Sequence, residues 1–210
     1  MRRSLICVLM IPLLLLAGCG GGEGSSAEEQ ALAVRTRYLA MTSFAGSAEV
    51  TADYGERVYD FTMDFSWEKD GDLVLTVTSP EEISGITARV RDGETLLEYD
   101  GASLGAGDLS GDGLSPVEAI PAIRDDARSG CITQCVLEQM GEQETLRVEY
   151  GDPRDPEGLT STLWFDPSTG ALLRSELFSD GYLVITCVFT SFSEQTGDDQ
   201  SGRVTDENMG

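Results

Sequence analysis

The chain has 210 residues and a formal net charge of −23, with 37 acidic side chains against 14 basic ones, a single lysine (Lys69) and no histidine. A surface this acidic repels nucleic acid, which is bound through clusters of Lys and Arg, and it equally repels anionic lipid headgroups. Without histidine there is no Ser-His or Cys-His nucleophile, no His-ligated zinc and no side chain that titrates unperturbed near pH 7, so neither an enzyme nor a cofactor or metal site is expected.

The chain opens with Arg2 and Arg3, an apolar run from Leu5 to Leu16, and then Leu16-Ala17-Gly18-Cys19. A positive region, about twelve apolar residues and small residues before a cut form a secretory signal. A membrane-spanning helix would take roughly 20 apolar residues. Leu-Ala-Gly-Cys resembles the bacterial lipobox. That resemblance implies a signal peptide over residues 1–18, lipid attachment at Cys19, and anchoring at the extracytoplasmic face of the cell membrane. Residues 20–26, rich in Gly and Ser, read as a flexible tether reaching about 25 Å.

Ser26 is a suitable N-cap for a helix from Ala27, with Glu28 and Glu29 in its positive first turn. Ala31, Val34, Tyr38 and Met41 form its apolar stripe, with Leu32 and Leu39 beside them. The period then switches to two. Phe44, Ala48, Val50 and Ala52 share a face. The clearest strand follows, where Tyr59, Phe61, Met63, Phe65 and Trp67 alternate with Asp60, Thr62, Asp64, Ser66 and Glu68. Beyond an Asp70-Gly71 turn come Leu73, Leu75 and Val77, then Ile86, Ala88 and Val90, an Asp92-Gly93 turn, and Leu97 with Tyr99.

Residues 101–115, rich in Gly, Asp and Ser, read as a loop. Ser115 and Pro116 start a second helix with Val117, Ile120 and Ile123 on its apolar side; Pro121 should bend or interrupt it. Strands are expected at 136–140, 144–150, 159–165, 171–178 and 182–192, about ten in all. The pattern predicts an α+β fold in one domain spanning 27–192. The polar, acidic residues 193–210 have no apolar periodicity and read as a disordered tail.

The order of these elements resembles the LolA/LolB-like lipoprotein-carrier superfamily. The likeness rests on the lead helix ending in Tyr38-Leu39-Ala40-Met41 and the aromatic strand to Trp67. It rests also on Val90-Arg91-Asp92-Gly93-Glu94-Thr95-Leu96-Leu97-Glu98-Tyr99-Asp100, similar to that superfamily's "dGktlwlYd" hairpin, and on Leu163-Trp164-Phe165-Asp166-Pro167 with Thr169-Gly170, similar to its "lwlDp.tG" strand-turn. The resemblance implies a strongly curved antiparallel sheet, an unclosed half-barrel of about 9–11 strands with two or three helices on its concave face. In carriers of this superfamily the enclosed apolar cavity holds acyl chains. Other lipoproteins of this kind partner envelope proteins, a cell-wall amidase among them. This chain differs from the soluble carriers in having its own anchor.

The candidate ligand-cavity residues are Tyr59, Phe61, Met63, Phe65, Trp67, Leu75 and Val77; the alternative for this stripe is ordinary core. The partners expected are therefore the membrane through the N-terminal lipid, a lipid or other hydrophobic ligand, or an envelope protein docked on the acidic surface. Cys131 and Cys135 are a candidate disulfide if the chain bends between them. Pairing of Cys135 with Cys187, or three free thiols, are the alternatives. The acidic stretch 108–113 lacks the ligand spacing of an EF-hand and reads as a loop.

Overall fold

The computed structural model describes residues 26–107, 115–155 and 158–197. The chain begins with helix α1 (Ala27–Ala40), followed by six strands: β1 (Met41–Asp53), β2 (Val58–Glu68), β3 (Leu73–Ser79), β4 (Thr87–Arg91), β5 (Glu94–Tyr99) and β6 (Ala102–Gly107). A single 3-10 turn, Glu81–Ile83, lies between β3 and β4. Helix α2 (Pro116–Ser129) leads to β7 (Ile132–Met140), β8 (Gln143–Tyr150), β9 (Thr160–Phe165), β10 (Leu172–Ser179) and β11 (Tyr182–Thr196). All eleven strands join one antiparallel sheet in the order β6-β5-β4-β3-β2-β1-β11-β10-β9-β8-β7. The result is an unclosed, strongly curved sheet with two helices, an α+β half-barrel.

Its topology explains why the helices plug it. Each half is a meander, and the halves meet where β1 pairs with β11. The chain must therefore pass from β6 at one edge to β7 at the other. It does so through α2, which lies across the inner face and packs on β9 and α1. An eleven-stranded sheet laid flat would be about 48 Å wide. A 14-residue helix is about 21 Å long. Curling the sheet brings its edges toward the helix and removes its apolar face from water.

Local chemistry sets both helix starts. Ser26 Oγ accepts from Glu29 N while Glu29 Oε2 accepts from Ser26 N, a complete capping box. Ser115 caps α2, with Pro116 in its first turn. Ala31, Val34 and Tyr38 of α1 are buried, whereas Leu32 and Leu39 face outward. Pro121 neither ends nor splits α2, which runs unbroken to Ser129. Burial of Ala119, Ile120, Ile123 and Ala127 around it outweighs the amide hydrogen bond it removes.

Three other differences from the sequence expectation stand out. Residues 102–107, read as loop, are the edge strand β6, held by backbone pairing with β5. Strand β7 begins at Ile132 rather than at residue 136. Strand β11 continues to Thr196, with Ser193 and Gln195 paired to Ala45 and Ser43, so the first residues expected in the tail belong to the sheet. The eleven strands of the sheet fall within the 9–11 that the resemblance implies. The signal segment, Cys19, the stretch 108–113 and residues 198–210 lie outside the described residues.

Candidate functional site

A cavity in a half-barrel lies on the inner face of its sheet. Register puts β2 between β1 and β3, with Phe65 beside Gly46 and Leu75, and Met63 beside Ala48 and Val77. Met63, Phe65 and Leu75 are fully buried in the main core, with Phe61 and Trp67 packed half-buried against it. Val77 is also half-buried, and Tyr59 is 40% exposed near the end of its strand. The predicted stripe thus shares one face but spans three environments, from sealed core to open rim.

The middle of that face is filled by aromatic rings under α2. Phe44 lies 5.9 Å from Phe65, 5.5 Å from Trp67 and 6.2 Å from Phe192 between centroids. Phe189 meets Phe65 edge-on at 5.8 Å, and Tyr38 meets Phe165 edge-on at 5.7 Å. Such offset and edge contacts are the favoured ring geometries. Arg124 of α2 closes the top, its guanidinium carbon 5.4 Å from the Trp67 ring centre. Beneath these rings is a void of about 10 Å³, lined by Phe44, Phe65, Ile120, Ile123, Phe189, Phe192 and their neighbours. That is room for about one water molecule. A larger cleft of about 450 Å³ lies between α2 and β3–β5, lined in part by Leu73, Val90, Thr95, Glu118, Pro121 and Ala122.

A polar cluster, not foreseen from sequence, lies where α1 and α2 meet the sheet. Arg35 of α1 donates to the carbonyl of Gly130, and Ser161 Oγ donates to Asp126 Oδ2 at 2.6 Å. Burial pushes the Asp126 carboxyl above its ordinary range, the Ser161 hydrogen bond pulls it partly back, and Asp125 adds repulsion. Burial likewise raises the Tyr150 hydroxyl beside it. These groups seam the helices to the sheet, and Tyr150 and Ser161 also border an open cleft of about 450 Å³ beside Gly151 and Gly181.

All three cysteines of the described chain are free thiols: Cys131 exposed, Cys135 half-buried, Cys187 buried. The bridge expected as one option between Cys131 and Cys135 needs a bend, and β7 supplies an extended strand instead, in which four residues span about 13 Å. Burial pushes the Cys187 thiol up to about 12, which makes it unreactive at neutral pH. Among the described residues there is no group of three or more His, Cys, Asp or Glu side chains that could hold a metal, and no helix is long and apolar enough to cross a membrane.

No family model matches the chain, and neither does any curated protein. Among solved structures its fold is similar to a LolA superfamily protein from Nitrosomonas europaea (11% identical, covering 84% of this chain and 97% of that one, TM-score 0.40). It is similar also to an outer membrane lipoprotein-sorting protein domain from Vibrio parahaemolyticus (12% identical, 81% and 94% covered, TM-score 0.43). A third likeness is to a chain in the complex of the CwlD amidase with the GerS lipoprotein from Clostridioides difficile (13% identical, 84% and 97% covered, TM-score 0.35). The first is of the superfamily that the hairpin and strand-turn motifs resemble.

Proposed function

We propose that the chain is a lipid-anchored extracytoplasmic domain without catalytic chemistry, and that it works by docking another protein of the cell envelope. The observation that carries this reading is the aromatic packing that fills the middle of the inner face. Burial would hold an acyl chain at about 0.8 kcal/mol per CH₂, but only in a channel of its own. The void of about 10 Å³ beneath the rings cannot receive even a short one, and the cleft of about 450 Å³ between α2 and β3–β5 is lined by the charged Arg91, Asp92, Glu118, Arg124 and Asp125 as well as by Leu73 and Val90. The second reading, a lipid held inside the half-barrel, is supported by the apolar rings around that void and by the adaptable side chain of Met63 nearby. It requires α2 to lift from the sheet.

Native mass spectrometry on the full chain extracted from its own membrane separates the two. A stoichiometric protein partner and no non-covalent lipid is the expected result. Lipid released on unfolding, with no partner, would overturn it. Incorporation of labelled palmitate into the wild-type chain, absent from Cys19→Ala, tests the anchor.

A further inference from the structure

In an antiparallel meander, successive turns alternate between the two ends of the sheet. The β1–β2, β3–β4, β5–β6, β8–β9 and β10–β11 connections therefore share one end, because β11 starts where β1 finishes, Ile185 pairing with Ala52. The chain has six tyrosines. Tyr38 and Tyr150 are core. The other four, Tyr54, Tyr59, Tyr99 and Tyr182, are exposed, and all four lie at this end. At the opposite end the turns at Asp70-Gly71, Asp92-Gly93, Gly141-Glu142 and Pro167–Gly170 present no exposed aromatic side chain among the described residues.

The tyrosines stand on rigid supports. Tyr99 directly precedes, and Tyr182 directly follows, a two-residue Asp-Gly turn with both residues at positive φ (48° and 77°, 51° and 76°). This is the tight hairpin geometry that matches strand twist. Tyr54 meets Tyr59 at 6.1 Å, and Tyr59 stacks on Phe61 at 6.2 Å. Tyrosine held in this way offers large amphipathic contact area at small entropic cost, the property that makes it a preferred anchor at protein interfaces. From β5 to β11 is five strand spacings, about 24 Å. That width suits a standard interface patch of about 800 Å² per partner.

Charge selects the partner. Exposed carboxylates of Asp53, Glu56, Asp60, Glu82, Asp100 and Asp180 surround the tyrosines, whereas Arg57 and Arg154 are the cations in these turns among the described residues. An open cleft of about 450 Å³ beside Gly181, lined in part by Phe178, Pro153 and Asp152, could take a protruding side chain.

We propose that this tyrosine-bearing acidic end is the docking surface and that its partner presents a cationic protein surface. The proposal rests on the docking reading above. The test uses the full chain in its own cells, with a photo-crosslinking amino acid at Tyr99 or Tyr182, and at Glu142 or Ser168 as opposite-end controls. It is paired with a Tyr54→Ser/Tyr99→Ser/Tyr182→Ser variant whose melting curve is checked first.

We expect one basic protein to crosslink from Tyr99 and Tyr182 and not from the control positions. The triple variant should recover at least tenfold less of it, and raised salt should slow association. A partner that crosslinks from the control positions, or that the triple variant retains, overturns the surface while leaving docking intact. Lipid without a partner overturns docking itself. Tyrosine-dependent flotation of the Cys19→Ala chain with phosphatidylcholine vesicles would mean the surface meets a membrane, and would equally sink the proposal.

Discussion

The Phe65 ring lies across Gly46. A Cβ at position 46 would stand 2.7 Å from Phe65 Cζ and closer still to the Ser191 carbonyl oxygen on the far strand. Gly46 pairs with Phe65 on β2 and with Phe192 on β11, so the two halves of the sheet meet at a residue with no side chain. The aromatic cluster occupies the space that one would fill. Gly46→Ala should therefore cost about 3 kcal/mol through overpacking, since the carbonyl belongs to the sheet backbone and cannot swing aside. Urea unfolding followed by tryptophan fluorescence reads it; a change under 1 kcal/mol would show the cluster to be looser than described.

Ile123 seals the core from the α2 side at 2% exposure and lines the small void. Ile123→Ala should cost about 3 kcal/mol and enlarge that void. If the inner face is closed as described, a fluorescent fatty acid should ignore the wild-type chain and gain binding in the variant. Saturable uptake by the wild-type chain at micromolar concentration would count against the closed core.

Asp126 makes stability depend on pH. Its carboxyl titrates higher in the folded chain than in the unfolded one, chiefly through burial. A raised folded value means the fold favours the protonated form. That contribution is present in full below the unfolded value, near 3.8, and is lost as pH rises through the folded one. Asp126→Asn keeps an acceptor for Ser161 and removes the buried charge. It should raise the melting temperature at pH 7 and leave it unchanged below pH 4. An equal shift at both pH values would assign the effect to packing.

The three thiols should react in order of burial. Iodoacetamide at pH 8 should label Cys131 first and Cys135 more slowly, and should reach Cys187 only in denaturant, as read by peptide mapping. A Cys131–Cys135 disulfide in protein isolated without reductant would mean that the start of β7 opens.

Ser26→Ala removes the side-chain acceptor of the α1 capping box and should cost about 1 kcal/mol. Ser26→Asp should restore most of it. Equal loss in both variants would place the role of Ser26 elsewhere.

Much of this architecture was legible because it was written in side chains. The alternation from Tyr59 to Trp67 and the caps at Ser26 and Ser115 each carry their own local signal. Strand β6 does not. Its Ala-Ser-Leu-Gly-Ala-Gly alternates only faintly, with two alanines, an exposed Leu104 and two glycines, and backbone pairing with β5 makes it a strand. The start of β7 hid behind polar residues and two cysteines whose spacing suited a bend as well as an extended run. The stripe on β2 named the right face, but sequence alone could not say how far the helices cover it. The exposed tyrosines sit one to a turn, far apart in sequence, and only the alternation of turns gathers them.

The pairing of β1 with β11 has a consequence for how the molecule comes into being. Met41 lies opposite Thr196, so the earliest strand made is completed by the last. Closing so long a loop is entropically costly and slow. Until the final strand arrives, β1 is an open edge with Phe44, Ala48 and Val50 uncovered on its inner side. An emerging chain therefore holds an adhesive intermediate for as long as synthesis lasts. Its window for misassociation is set by the time taken to deliver β11 rather than by the strength of the finished sheet.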